Sequence, residues 1–327
     1  MITYIIRRLI QSIPIMLGIS FLIFMIVQLA PGDPIDRFRN PNIRPEQLDQ
    51  LMRLYGLDKP LFEQYFSWLT AFFQFPWNDR AWGYSLITNQ PVRDSIFERL
   101  PATVLLMGTS LIVTMIVSIP IGIIAAVKQY SWADKIISGF ATIGYAMPSF
   151  LLGIYVLFFG GVWLGQLTGG AASFPLFGRQ SIGKEGDVLD IAWHLVLPVT
   201  SLAVQSIAGY SRYLRASMLD VLRQDYVRTA KAKGLPASRV IGKHALRNAM
   251  IPFITLVGLS LPSLVAGAVI TESIFSYPGL GSLTINAISQ NDYPVIYATG
   301  MLTGFFVILG NLVADILYGV VDPRIKY

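Results

Sequence analysis

The sequence contains no cysteine, only two histidines and few charged residues. The absence of cysteine excludes disulfides, thiolate metal ligands and cysteine nucleophiles. Only 13% of the 327 residues are charged and 54% are hydrophobic, whereas an average soluble domain has about 25% charged residues. The composition therefore predicts an all-α, polytopic integral membrane protein. His194 and His244 fall in segments that we expect on opposite membrane faces, so we expect no shared metal site.

Acidic residues are also scarce inside the apolar segments, where a proton- or sodium-coupled carrier would need them. Glu272 and Asp315 fall near segment ends, and Asp134 falls outside. A Ser/His/Asp relay would need one of the two histidines, and each has a simpler role as a helix-end residue near the interface. We therefore predict no enzyme active site, no cofactor site and no metal site in this chain.

Six apolar segments have the roughly 20 residues needed to cross a bilayer. The first is too long for a cleaved signal core of roughly 7–15 residues, so it is interpreted as a membrane helix. The segments are Leu9–Ala30, Thr103–Val127, Ile136–Leu164, Ile191–Leu214, Ala249–Thr271 and Val295–Val320. We expect kinks at their internal prolines, Pro14, Pro120, Pro148, Pro198 and Pro262.

The distribution of Lys and Arg predicts the orientation. If the long segment 31–101 is set aside, the loops on one side hold 15 basic residues and those on the other hold two. Basic residues concentrate in cytoplasmic loops, so both termini are predicted to be cytoplasmic.

The long external segment 31–101 is predicted to contain two helices. Pro45 opens an amphipathic stretch that ends at Gly56, and a second helix begins near Pro60. The aromatic and leucine side chains of the second helix either pack on the bundle or close over its outer mouth. They are Tyr65, Trp68, Leu69, Phe72 and Phe73.

A basic helix-turn-helix separates the fourth and fifth apolar segments. An apolar residue recurs at every fourth position through Met218, Leu222, Tyr226 and Ala230, which predicts one helix. Gly234 suits the left-handed turn after a helix, and Pro236 can open the next one. That second helix is predicted to run through Val240, Ile241, His244 and Leu246.

Three interpretations of this loop compete. A DNA-binding motif would need a body free to reach a groove, but both ends of this one continue into membrane helices, so we expect no nucleic-acid partner. Adsorption to anionic lipid explains the charges but not the small residues Ala230, Ala232 and Gly234. Docking of a soluble cytoplasmic subunit explains both.

The loop resembles the segment that binding-protein-dependent ABC importers insert into their ATPase subunits, in the variant of the first permease of peptide and nickel importers. The family pattern has Glu-Ala-Ala, three residues and Gly, where this chain has Arg228-Thr229-Ala230 before Gly234. Further phrases typical of that branch are Ala30-Pro31-Gly32-Asp33-Pro34, Arg99-Leu100-Pro101-Ala102-Thr103, Glu272-Ser273-Ile274-Phe275-Ser276-Tyr277-Pro278-Gly279-Leu280-Gly281, Asp292-Tyr293-Pro294 and Asp322-Pro323-Arg324.

The resemblance implies a type I ABC importer permease fold with six transmembrane helices and a helical insertion after the first. The implied divisions are the first helix with its cytoplasmic N-terminus (1–30), the extracytoplasmic insertion (31–101), the permease core (102–320, with coupling loop 215–248) and a cytoplasmic tail (321–327). The implied coupling residues are Asp225, Tyr226, Arg228, Thr229, Ala230, Lys231, Ala232, Lys233, Gly234, His244 and Arg247.

The resemblance also implies partners: a second, related permease, two ATPases that bind ATP and magnesium, an extracytoplasmic substrate-binding protein and the bilayer of a prokaryotic inner membrane. Short peptides are the implied substrates, with nickel chelates or oligosaccharides as alternatives. An ion-coupled transporter and a non-transporting scaffold remain open.

Three further motifs have competing interpretations. Glu272, Phe275, Tyr277, Pro278, Gly279 and Gly281 form a candidate external gate or receptor contact, or simply a structured turn. The spacings Gly161-x-x-x-Gly165 and Gly300-x-x-x-Gly304 serve packing within the chain or a subunit interface. The segment 178–184 has the glycine spacing of a phosphate loop, but Glu185 replaces the required Ser or Thr, so we expect an external loop.

Overall fold

A computed structural model of the chain describes residues 2–29, 58–74, 81–170, 173–260 and 268–321, with Glu46, Gln50 and Arg53 as single helical positions. Over these residues the fold is helical, and the one β contact is an isolated bridge between Tyr84 and Pro91.

Eleven helical segments are described within these ranges. A π-helical stretch, Val156–Trp163, lies within α5, and α8 contains another, Val240–Leu246. The segments are α1 Ile2–Leu29, α2 Leu61–Phe73, α3 Val92–Val127, α4 Trp132–Ala146, α5 Ser149–Leu167, α6 Val188–Leu222, α7 Asp225–Ala232, α8 from Ala237–Arg239 through to Arg247–Gly258, α9 Val269–Ile274, α10 Leu280–Ser289 and α11 Tyr293–Val321.

Five helices in the described ranges are long and apolar enough to cross a membrane: α1, α3, α5, α6 and α11. The predicted fifth crossing, Ala249–Thr271, is not among them. It begins within α8 and ends within α9, and residues 261–267 between them lie outside the described residues. The count of six transmembrane helices therefore stays a prediction.

The first and last helices run antiparallel. Gly304 faces Ile19, where an added Cβ would lie 2.9 Å from the isoleucine Cγ2, and Gly300 faces Ile23 further along. Arg8 pairs with Asp315 at 2.7 Å beyond these contacts. The start of α1 and the end of α11 therefore share one end of the bundle, and the Gly300-x-x-x-Gly304 spacing serves packing within the chain.

The two longest helices, α3 and α6, run parallel. Near their starts Leu106 packs in one buried cluster with Val199. Near their ends a Cβ on Gly122 would lie 3.0 Å from the Cβ of Leu214. Two parallel neighbours need a return crossing between them, and α4 followed by α5 supplies it.

The return crossing consists of two helices rather than one. It contacts α6 in antiparallel order, from Asp134 against Arg215 to Gly161 against Leu197. The single helix predicted over Ile136–Leu164 is therefore wrong, because the helix ends at Ala146. Pro148 disfavours helical backbone at the preceding residue, and Met147 is extended, with ψ 131°.

The chain from α8 to α9 passes between opposite ends of the bundle. Ser217, near the end of α6, donates to the Ala249 carbonyl at 3.0 Å. Thr103, near the start of α3, contacts Glu272. Because α3 and α6 are parallel, these two contacts lie at opposite ends.

The helix predicted at Pro60 is confirmed, with Pro60 as its N-cap. Tyr65 and Phe72 are buried against the bundle. The Tyr65 hydroxyl lies 2.7 Å from Ser20 Oγ on α1, and Trp82 stacks on Phe72 at 5.4 Å. This geometry favours packing over closure of the outer mouth. The amphipathic helix predicted at 45–56 lies outside the described residues, apart from single positions.

Candidate functional site

The basic loop follows a break at the end of α6. Met218 and Leu222 belong to α6 and Tyr226 to α7, so the predicted single stripe through them is wrong. The Tyr226 side chain is 43% exposed. The buried residues of α7 are instead Val227 and Ala230.

A small apolar cluster holds α7 against α8. Val227, Ala230 and Val240 are buried together, with Leu235 partly buried beside them. The side chain of Asn248 adds a polar tie, because its Nδ2 donates to the Tyr226 hydroxyl at 2.7 Å. Neither Val227 nor Asn248 was predicted as a site residue. The spacing of Val227 from Ala230, one helical turn, was the available signal for the first.

The predicted turn between the two helices is confirmed. Gly234 has φ +74°, the left-handed region that glycine adopts without steric cost. Pro236 is the N-cap of the next helix. No heavy atom lies within 4 Å of a Cβ built on Gly234, so the turn projects into open space.

Most candidate coupling residues lie on the exposed side of this loop, although Ala230 is buried and His244 is half-buried. The exposed ones are Asp225, Tyr226, Arg228, Thr229, Lys231, Ala232, Lys233, Gly234 and Arg247. Arg228 approaches Asp225 at 3.8 Å, but both side chains are at least 74% exposed, so this pair is weak. The exposed end of α7 thus combines the basic side chains of Arg228, Lys231 and Lys233 with the small residues Ala232 and Gly234.

A partly buried ion pair connects the start of α4 to the last turns of α6, just before the basic loop. Arg215 donates to both carboxylate oxygens of Asp134 at 2.7 Å, and the backbone N–H of Tyr130 donates to one of them. Fork-shaped pairs of this type are strong and directional. The pair therefore ties the end of α6 directly to the start of α4. The sequence alone gave no signal that residues 81 positions apart would pair.

On the other end of the bundle, the Glu272 side chain organises the candidate external gate. It is fully buried. Its carboxylate accepts from Thr103 Oγ1 at 2.9 Å and from the Ser282 N–H at 2.8 Å. Gly279 and Gly281 press against the carboxylate so closely that neither position has room for a Cβ.

The neighbouring aromatic side chains are equally enclosed. Phe275 and Tyr277 are at most 1% exposed, and the Phe275 carbonyl accepts from Gly178 of the preceding external loop at 2.9 Å. Burial raises the pKa of Tyr277 to about 12; the positive charge of Arg179 opposes this shift and the carboxylate of Glu272 adds to it. A receptor contact through Glu272, Phe275 or Tyr277 does not fit this conformation, because all three side chains lie inside the bundle.

The segment 178–184 forms a loop before α6. The Ser181 N–H donates to Asp190 at 2.6 Å, and Lys184 lies 3.5 Å from the same carboxylate. His194 contacts the Asp190 carbonyl through Nδ1 at 2.8 Å. Within the described ranges no group of three or more His, Cys, Asp or Glu is placed to hold a metal.

Comparison with known proteins agrees with this architecture. Residues 118–327 match the family described as binding-protein-dependent transport system inner membrane component, and residues 1–107 match the family of N-terminal segments of such components. The oligopeptide transport system permease protein AppB of Bacillus subtilis is 43% identical over 100% of both chains. The dipeptide transport system permease protein DppB of Escherichia coli K12 is 40% identical, over 100% of this chain and 99% of that one.

A solved structure shares the fold at much lower identity. The MetNI methionine ABC transporter, in inward-facing conformations, aligns with a TM-score of 0.55 and 14% identity over 71% of this chain and 98% of its own. The chain therefore belongs to the family of inner membrane components of binding-protein-dependent transport systems, and it is a permease with the type I ABC importer fold.

Proposed function

We propose that this chain is one permease subunit of an ATP-driven peptide importer and that α7 with the Gly234 turn docks on a separate ATPase. The names of its relatives support the substrate class, since they include oligopeptide, dipeptide and di/tripeptide permeases. The observation that carries the docking role is the exposed, basic end of α7 with the small residues Ala232 and Gly234. Buried Val227 and Val240 hold it from behind.

The mechanism is alternating access. ATP and magnesium, bound by the partner ATPases, close the ATPase dimer and displace α7. Because α7 packs on α8 and follows α6 directly, the displacement moves both helices, and the Asp134–Arg215 pair carries it to α4. A second permease completes the path, and an extracytoplasmic receptor delivers the peptide. Exposed Arg228, Lys231 and Lys233 steer the ATPase, since rim charges act on association rate and specificity.

The test is Gly234→Asp compared with Gly183→Asp. Both glycines have positive φ, +74° and +81°, and open space at the Cβ, so backbone strain is matched. They lie beyond opposite ends of α6. We expect Gly234→Asp to abolish co-purification with the ATPase and peptide uptake while the protein still inserts, and Gly183→Asp to retain both.

Gly234→Asn separates charge from bulk, because asparagine has nearly the size of aspartate without its charge and likewise tolerates the left-handed region. It should also weaken association. Normal uptake by Gly234→Asp would contradict the docking role.

Reconstitution separates the rival functions. Uptake driven by an ion gradient without ATPase would indicate a secondary transporter, and partner binding without uptake would indicate a scaffold. Competition by nickel chelates or oligosaccharides, but not by peptides, would change the substrate class.

A further inference from the structure

One exposed helix face differs in chemistry from the other exposed faces of the bundle. Ile112 and Ile116 on α3 and Phe140 on α4 are 59%, 66% and 73% exposed, as expected of surfaces that face hydrocarbon. The face of α6 that carries Gln205, Gly209, Arg212 and Ala216 is instead polar or small. Its members recur at i, i+4, i+7 and i+11, so they form one stripe.

Contacts on both sides place this stripe in a groove between α4 and α8. On one side the Tyr145 ring of α4 lies 3.8 Å from a Cβ built on Gly209. On the other side Tyr210 packs edge-on against Phe253 of α8 at 5.7 Å. The helix α3 packs elsewhere on α6, through Leu214. Within this groove Arg212 and Ala216 are exposed, and Gln205 and Gly209 are half-buried.

Arg212 carries a charge that no described carboxylate neutralises. Its guanidinium lies 5.8 Å from the centre of the exposed Tyr145 ring, a cation–π contact, and forms no salt bridge or hydrogen bond to a described residue. Arg215, three positions on, is fully paired with Asp134. An unpaired cation on a membrane helix is costly unless water or an anion reaches it.

The position of the stripe along α6 indicates that water reaches it. Gln205 is midway along α6, Val188–Leu222, or about 25 Å from either end at 1.5 Å per residue. Its Nε2 donates to the Met147 carbonyl at the break between α4 and α5. Its remaining polar capacity would be unsatisfied against lipid tails.

We propose that this stripe lines the water-filled translocation path and that Arg212 attracts the carboxylate of the passing peptide. The inference rests on the proposed function and adds a specificity residue to it. A linear peptide with a free C-terminus carries a carboxylate, and a guanidinium binds that group through two parallel hydrogen bonds. The contact with the Tyr145 ring holds the guanidinium beside the groove without neutralising its charge.

The first test uses the absence of cysteine, which makes every introduced thiol unique. Gln205→Cys and Arg212→Cys should react with a charged, membrane-impermeant thiol reagent applied to both faces of sealed membranes. Phe140→Cys is the matched control, exposed on the neighbouring helix but surrounded by lipid, and should not react. If Gln205→Cys is as unreactive as Phe140→Cys, the stripe is covered by lipid or by another subunit, and the proposal is wrong.

The second test compares uptake of one peptide as free acid and as C-terminal amide by the full assembly. Arg212→Gln should lower the acid-to-amide uptake ratio roughly five- to tenfold, and Arg212→Lys should retain most of it. The receptor is the same throughout, so its own preference cancels between variants. Lys135→Gln is the control, because Lys135 also lies over an aromatic ring, Trp132 at 5.1 Å, but outside the stripe.

The outcomes distinguish a failure of the role of Arg212 from a failure of the proposed function. An acid-to-amide ratio unchanged by Arg212→Gln overturns the role of Arg212. A wild-type assembly that moves neither peptide contradicts the proposed function, while thiol labelling still decides whether the stripe lines an aqueous path.

Discussion

At the scale of single residues, a buried carboxylate explains why two glycines follow it. Glu272 holds Thr103 on α3 and the first turn of α10 together, and the Leu280 N–H in turn donates to Thr103 Oγ1 at 2.7 Å. Its charge also lies at the N-terminus of α10, where the helix dipole favours an anion. Gly279 and Gly281 leave the space that the carboxylate occupies. The external turn is thus fixed from within.

This network predicts a graded loss of stability. Glu272→Ala removes the acceptor of the buried Thr103 hydroxyl and of the half-buried Ser282 N–H and creates a cavity. We therefore expect the free energy of unfolding to fall by about 2–4 kcal/mol. Glu272→Gln keeps the volume and one acceptor oxygen and should cost about half as much. Thermal unfolding of the purified variants measures both, with exposed Glu98→Ala as the unaffected control. Equal midpoints for Glu272→Ala and Glu98→Ala would show that the network contributes nothing.

At the scale of elements, α7 presents two alanines with opposite environments. Ala230 is 6% exposed in the cluster with Val227 and Val240, whereas Ala232 is exposed. A leucine at Ala230 would overpack that cluster, at a cost of about 1–3 kcal/mol. A leucine at Ala232 would extend from an exposed position of the described structure.

The pair of variants therefore separates folding from docking. We expect Ala230→Leu to lower the unfolding temperature of the isolated permease. Ala232→Leu should leave that temperature unchanged and weaken co-purification with the ATPase. Unfolding and pull-down measurements on the same preparations check both, and full ATPase binding by Ala232→Leu would place the docking surface elsewhere on the loop.

The elements that could be predicted from sequence are those set by local backbone chemistry. Pro60, Gly234 and Pro236 start or end helices because of their own φ preferences, and all three positions were predicted correctly. The break at Pro148 was predicted only as a kink. A proline inside an apolar segment is compatible with either outcome, and the extended Met147 is stabilised by Gln205, 58 positions away.

Residues that act through distant partners were not predictable in this way. Glu272 was singled out as a candidate gate residue, but its partner Thr103 lies 169 positions earlier. The apolar residues at every fourth position from Met218 to Ala230 continue across the end of α6. Periodicity alone does not reveal a break, so one helix was predicted. Val227 was overlooked because that pattern assigned the buried face to Tyr226.

At the scale of the whole molecule, α6 connects the two functional ends as one unbroken helix. Its 35 residues span about 52 Å at 1.5 Å per residue, more than the roughly 40–45 Å of a bilayer with its headgroups. The basic loop follows its last residue, and the loop that contains Gly178 precedes its first. Rigid displacement of α6 therefore couples the Gly234 turn to the loop that bonds Phe275.

This geometry makes the sidedness of the chain a sharp prediction. Ile182, which is fully exposed, and Ser238, also exposed, lie beyond opposite ends of α6, so they must face opposite sides if α6 crosses the membrane. The excess of basic residues assigns Ser238 to the cytoplasm. In this cysteine-free chain, an impermeant thiol reagent should label Ser238→Cys only in inside-out vesicles and Ile182→Cys only in right-side-out vesicles. Exchange of the two patterns would invert the topology and remove the loop from any cytoplasmic ATPase. Labelling of both from one side would mean that α6 does not cross the bilayer, and the coupling of its two ends would have no physical basis.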